Sequence, residues 1–110
     1  MSGRILYTPE AKRQLDDLDN WITSAASPET ARAFIGGIMS HIEGILVFPR
    51  AARDRTDVRA GMMTSTYRKR TVVAYTVDDS GDEVVLHIIG VFHGGQDWES
   101  ALRWDAAAQN

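Results

Sequence analysis

Two tripeptides nineteen residues apart, Thr8-Pro9-Glu10 and Ser27-Pro28-Glu29, constrain this chain more than any other feature. Each opens with a hydroxyl that can accept from free backbone amides. Each continues with proline, whose fixed φ suits the first helical position, and then glutamate, which favours the positive end of a helix dipole. Behind the first signal, Ala11, Leu15, Leu18, Ile22 and Ala25 recur at spacings of 4, 3, 4 and 3, one apolar stripe of a helix. Behind the second come Ala31, Phe34, Ile35, Ile38, Ile42, Ile45 and Leu46, again at helical spacing. The second start ends the first helix near Ala26, and Pro49 stops the second, giving a span of about 28–48. So short a joint makes the pair an antiparallel hairpin. Gly36-Gly37 falls mid-helix and costs about 1 kcal/mol per glycine relative to alanine. Close approach of another backbone would account for that cost.

From Met62 the period changes. Met62 to Tyr67 reads as a weak strand and Thr71 to Val77 as a strong one, rich in β-branched residues. Val84 to Phe92 is almost continuously apolar, which predicts a central strand with both faces covered for part of its length. The Asp78–Asp82 cluster joins these last two as a hairpin, and Arg68-Lys69-Arg70 occupies the tighter turn before it. Arg4 to Tyr7 is a short strand ahead of the first helix, and residues 50–61 form a polar, arginine-rich connector. After His93-Gly94-Gly95-Gln96, Asp97 can cap a last helix with Trp98, Ala101 and Leu102 on one face and Trp104 off it. The tail, residues 106–110, reads as frayed. The expected order is β-α-α-β-β-β-α: an α+β fold with a helical hairpin packed on a small, mostly antiparallel sheet. At 110 residues, 1–110 is one domain.

Composition removes several chemistries. There is no cysteine, so disulfide frameworks, thiolate catalysis and cysteine-based zinc sites are out. No apolar run reaches the roughly 18 residues that span a bilayer, and the polar N-terminus lacks a signal-peptide core, so no membrane partner and a cytoplasmic chain are expected. His41, His87 and His93 show no metal-ligand spacing, and Gly94-Gly95 lacks the context of a nucleotide-binding loop, so neither metal nor cofactor is expected. Charge is uneven. Residues 50–70 hold Arg50, Arg53, Arg55, Arg59, Arg68, Lys69 and Arg70 against Asp54 and Asp57, in a chain of net charge −3. Such a strip either meets a polyanion or an acidic partner, or is a solvated loop. RNA cleavage would need a base, an acid and cations for the phosphorane. Arg59, Arg68, Lys69, Arg70, Tyr67, Tyr75 and His93 include these types, but their spacing singles out no constellation. Three tryptophans and the wide apolar face of the hairpin raise a further choice. Either they front a groove for an amphipathic partner, or they pack inward.

The stretches ILYTPEAKRQLDDLDNWI, the second-helix run ending in LVFPR, DVRAGMMTSTYRKRTVVAYTVDD and VVLHIIGVFHGGQDWESAL resemble the ParE branch of the RelE/ParE toxin superfamily over residues 4–102. The resemblance implies the toxin half of a type II toxin–antitoxin pair. Such a toxin inhibits DNA gyrase by protein binding, causes growth arrest and catalyses no reaction. It also implies neutralisation by a ParD-type ribbon-helix-helix antitoxin, through which alone the complex would contact DNA. The antitoxin segment would lie on the hairpin groove, at Leu18, Trp21, Ile22, Phe34, Ile38, Ile42 and Trp104. The nearest candidates for target contact are Arg59, Arg68, Lys69, Arg70, His93, Gly94 and Asp97. The RelE branch instead cleaves mRNA on the ribosome. This chain departs from that pattern: it has arginines where that branch is lysine-rich after the second helix, and it ends its last strand in His93-Gly94-Gly95. A third reading is a non-toxic member that only binds its antitoxin.

Overall fold

A computed structural model of the chain describes residues 3–95 and 98–102. Strand β1 (Gly3–Tyr7) leads into helix α1 (Pro9–Ala25), helix α2 (Pro28–Ile45), a two-residue strand β2 (Arg53–Asp54), β3 (Met63–Tyr67), β4 (Thr71–Asp78) and β5 (Val84–His93). Residues 98–102 are helical. Both helix starts work as the sequence implies. The Thr8 side chain accepts from the Ala11 N–H at 3.1 Å and Ser27 from the Thr30 N–H at 3.0 Å. The second helix ends three residues short of expectation. The Leu46 and Val47 amides turn back to the Glu43 and Gly44 carbonyls, which tightens the last turn ahead of Pro49.

The strands form one five-stranded sheet in the order β1-β5-β4-β3-β2. All neighbours are antiparallel except β1, which runs parallel to β5 with Gly3 opposite Val84 and Tyr7 opposite Ile88. The strongest apolar run is thus central, as predicted. Both of its faces are used. On the helix side Ile38, Ile42, Val73, Tyr75, Leu86 and Ile88 are wholly buried. On the other side Val58, Met62, Ala74, Phe92 and Leu102 form a second, smaller core. The connector is therefore not merely polar. Val58 and Met62 tuck beneath the sheet, and Arg53–Asp54 pair with β3 as a short edge strand too brief to leave a periodic trace. In the last helix Trp98 and Leu102 face this second core, but Ala101 is exposed.

One irregularity re-aims the end of β5. Ala74 pairs with Gly90 and Tyr75 with Ile88, so Ile89 is an extra residue and the strand carries a bulge. Past the bulge the alternation reverses phase. Val91 joins the helix-side core, and Phe92 joins the opposite one. Gly90 is required here, because a Cβ at that position would run into the Phe92 ring. Beyond Ile88, β5 has no strand on its β1 side. The Val91 N–H donates instead to Oε1 of Gln14 on α1, at 2.7 Å.

Candidate functional site

The reversed phase of β5 turns His93 toward the helices. Its ring meets Phe34 of α2 edge-on, centroids 5.5 Å apart, and lies 6.1 Å from Trp21 of α1. Its Nδ1 shares a 2.8 Å hydrogen bond with Oγ1 of buried Thr71 on β4. Burial, and to a lesser extent the Arg70 guanidinium, hold the imidazole below its ordinary pKa of 6.5. A cavity of about 400 Å³ opens beside it, lined by Gln14, Asp17, Leu18, Trp21, Arg70, Val91, His93 and Gly94. A second, of about 470 Å³, shares Arg70 and Gly94 and adds Lys69, Val72, Phe92, Gly95 and Trp98.

The β3–β4 turn contributes Arg70 to both cavities and Lys69 to the second. Arg70 N–H donates to the Tyr67 carbonyl at 3.3 Å, and Gly94 N–H to the Arg70 carbonyl at 2.9 Å. Arg68 and Lys69 have φ of 52° and 65°. Two successive left-handed residues make a primed turn, the type that matches strand twist and is normally built on Asn and Gly. Arginine and lysine in those places cost on the order of 1 kcal/mol each. All three cations of the turn are exposed, and the Arg68 guanidinium lies 5.4 Å from the Tyr67 ring centre.

Tertiary structure sorts the expected site residues differently from the sequence. Leu18 and Ile22 are 8% exposed, and Ile38 and Ile42 are fully buried. These four belong to the core against the sheet, with Leu18 also lining the first cavity. Trp21, 60% exposed, and half-buried Phe34 remain at the surface, and both sit against His93. Lys69, Arg70, His93 and Gly94 come together there, with Arg68 beside them on the turn. Arg59 does not join them. It lies with the second core and donates to the Leu102 carbonyl at 3.1 Å. Tyr75 is also removed from the surface, with its hydroxyl donating to the Pro49 carbonyl. Asp97 and Trp104 lie outside the described residues.

Gln14, Asp17 and Thr71 are parts of the site that sequence reasoning passed over. The signal for two of them was helical spacing, since Gln14, Asp17 and Trp21 follow one another by three and four residues along α1. Among the described residues no cluster of three metal-ligating side chains occurs. None of the described helices is long and apolar enough to cross a membrane.

Comparison with known proteins agrees with this architecture. A chain of the chromosomal ParDE system from P. aeruginosa superposes with a TM-score of 0.67 at 19% identity, covering 86% of this chain and 96% of that one. A YoeB/ParE toxin from Agrobacterium tumefaciens superposes with a TM-score of 0.57 at 20% identity, covering 82% and 97%. At such identities the likeness is one of fold. No match was found among the curated proteins. The profile of the family described as ParE toxin of type II toxin-antitoxin system, parDE, matches residues 5–98, from the first strand to the start of the last helix. The chain belongs to the ParE toxin family of type II toxin–antitoxin systems.

Proposed function

We propose that this chain acts as the toxin of its pair by binding DNA gyrase, without breaking any bond, and that a ParD-type antitoxin silences it in the cytoplasm. The observation that carries the reading is the family match across residues 5–98 on a fold shared with ParDE and YoeB/ParE proteins. His93 supports the binding half as part of the cavity wall. One ring nitrogen is engaged by Thr71, and the ring is packed edge-on to Phe34, which suits a wall of a binding surface. Trp21 supports the binding half, because a tryptophan this exposed beside a cavity is a typical interface anchor.

Two assays on the purified chain test the proposal. Added to a gyrase supercoiling reaction, it should inhibit at near-stoichiometric amounts. Added to translating ribosomes with primer-extension readout, it should leave the mRNA uncut. Ribosome-dependent cleavage with normal supercoiling would overturn the reading in favour of an mRNA interferase. The absence of growth arrest on induction without antitoxin would leave only an antitoxin-binding role.

A further inference from the structure

We infer that the β3–β4 turn is a site for the phosphate backbone of duplex DNA, held directly by this chain through Arg68, Lys69 and Arg70. The first ground is how the cations of the basic strip are used. Arg50 pairs with Asp79 at 3.2 Å. Arg55 is bound on both sides by Asp57 and Glu99 and covers the Trp98 ring. Arg59 holds the Leu102 carbonyl. Arg53 sits apart on β2, at the far end of β3. The three turn cations alone are consecutive, exposed and without a carboxylate partner among the described residues. The second ground is strain. Two side-chain-bearing residues occupy left-handed positions where glycine or asparagine would be easier, so charge is kept there against a local cost.

The choice of duplex follows from the surroundings. One strand of DNA offers a phosphate about every 3.4 Å of axis, so consecutive phosphates present anions to three consecutive exposed cations. An unpaired strand would instead call for open rings on which successive bases stack. The rings flanking the turn are not open. Tyr67 is covered by Arg68, Trp98 by Arg55, and Phe92 is 6% exposed. Trp21 is open, but it is one ring where a run of bases needs several. The contact is to phosphate alone, so binding is independent of base sequence.

The test uses the purified chain and a fluorescently labelled 20-base-pair duplex, with anisotropy followed from 50 to 200 mM salt. Three phosphate contacts give a log–log salt slope near −2.7, hence about 40-fold weaker binding across that range. Arg68→Ala or Arg70→Ala should each flatten the slope by about 0.9. Arg50→Ala removes the same charge from a paired residue and should change nothing. Lys69→Gly separates binding from folding: it relieves the left-handed strain, so stability should rise while DNA affinity falls. A slope unchanged in Lys69→Gly, or equal losses in Arg50→Ala, would overturn the assignment. So would tighter binding to the matching single strand, or displacement by poly-glutamate at equal anion concentration, which would assign the turn to an unpaired strand or an acidic protein. No gyrase is present, so this result is independent of the supercoiling assay.

Discussion

Gly36 and Gly37 are neighbours in the middle of α2, and replacing them should have opposite effects. A Cβ on Gly36 meets open space, so Gly36→Ala should stabilise the fold by about 1 kcal/mol through helix propensity. A Cβ on Gly37 would run into the hydroxyl and ring of Tyr67, so Gly37→Ala should lower the chemical denaturation midpoint. The sequence showed that a pair of glycines was being tolerated. It suggested a backbone as the close neighbour, and the neighbour is a tyrosine side chain from β3. Histidine titration makes a second residue-scale case, with His93 of the site and His41 of α2, whose Nε2 shares a 2.7 Å hydrogen bond with Oγ of Ser65. Burial lowers the pKa of both His41 and His93. The unfolded chain then takes up these protons first, at its ordinary value near 6.5. Stability is therefore complete above that pH and falls as pH drops below it, toward the lowered folded values. Denaturation midpoints at pH 7.5 and 5.5 should show the loss, and His93→Gln should reduce it. A midpoint independent of pH across that window would contradict the burial of these rings.

Among the elements, β5 was read correctly as the central strand, since a run of apolar residues with no wet side needs cover on both faces. Its bulge at Ile89 was not legible. Nothing in VVLHIIGVF marks which residue is surplus until β4 pairs with it, although Gly90 is a trace of it. The consequence is functional, because the bulge decides that His93 faces α1 and α2. It also leaves the Val91 N–H to be met by Gln14. Gln14→Leu should therefore cost about 1–3 kcal/mol, the penalty for an unmet buried amide. Hydrogen exchange at the Val91 amide should accelerate in the same variant. Unaltered exchange there would mean that another group or water already serves that amide.

For the molecule as a whole, the question is which apolar surface holds the fold together and which is left for partners. Ile38, fully buried between helices and sheet, belongs to the first kind, and Ile38→Ala should cost about 2–5 kcal/mol. Trp21 belongs to the second. Trp21→Ala should leave stability within about 0.5 kcal/mol yet weaken the complex with the cognate antitoxin, as read by calorimetric titration. Equal antitoxin affinity in Trp21→Ala would take this residue out of the interface. Helix starts, stripes, turns and every strand except the two-residue β2 were legible because each rests on periodicity and chemistry within a few positions of the chain. The parallel pairing of β1 with β5 and the meeting of Trp21 with His93 rest on contacts between residues about 70 to 80 positions apart, and the division of the hairpin stripe into core and surface rests on packing against strands that come later in the chain. Such contacts follow from strand pairing and packing of the assembled sheet. That is why the local pattern determined the elements, and only the tertiary structure decided which side chains remained at the surface to bind anything.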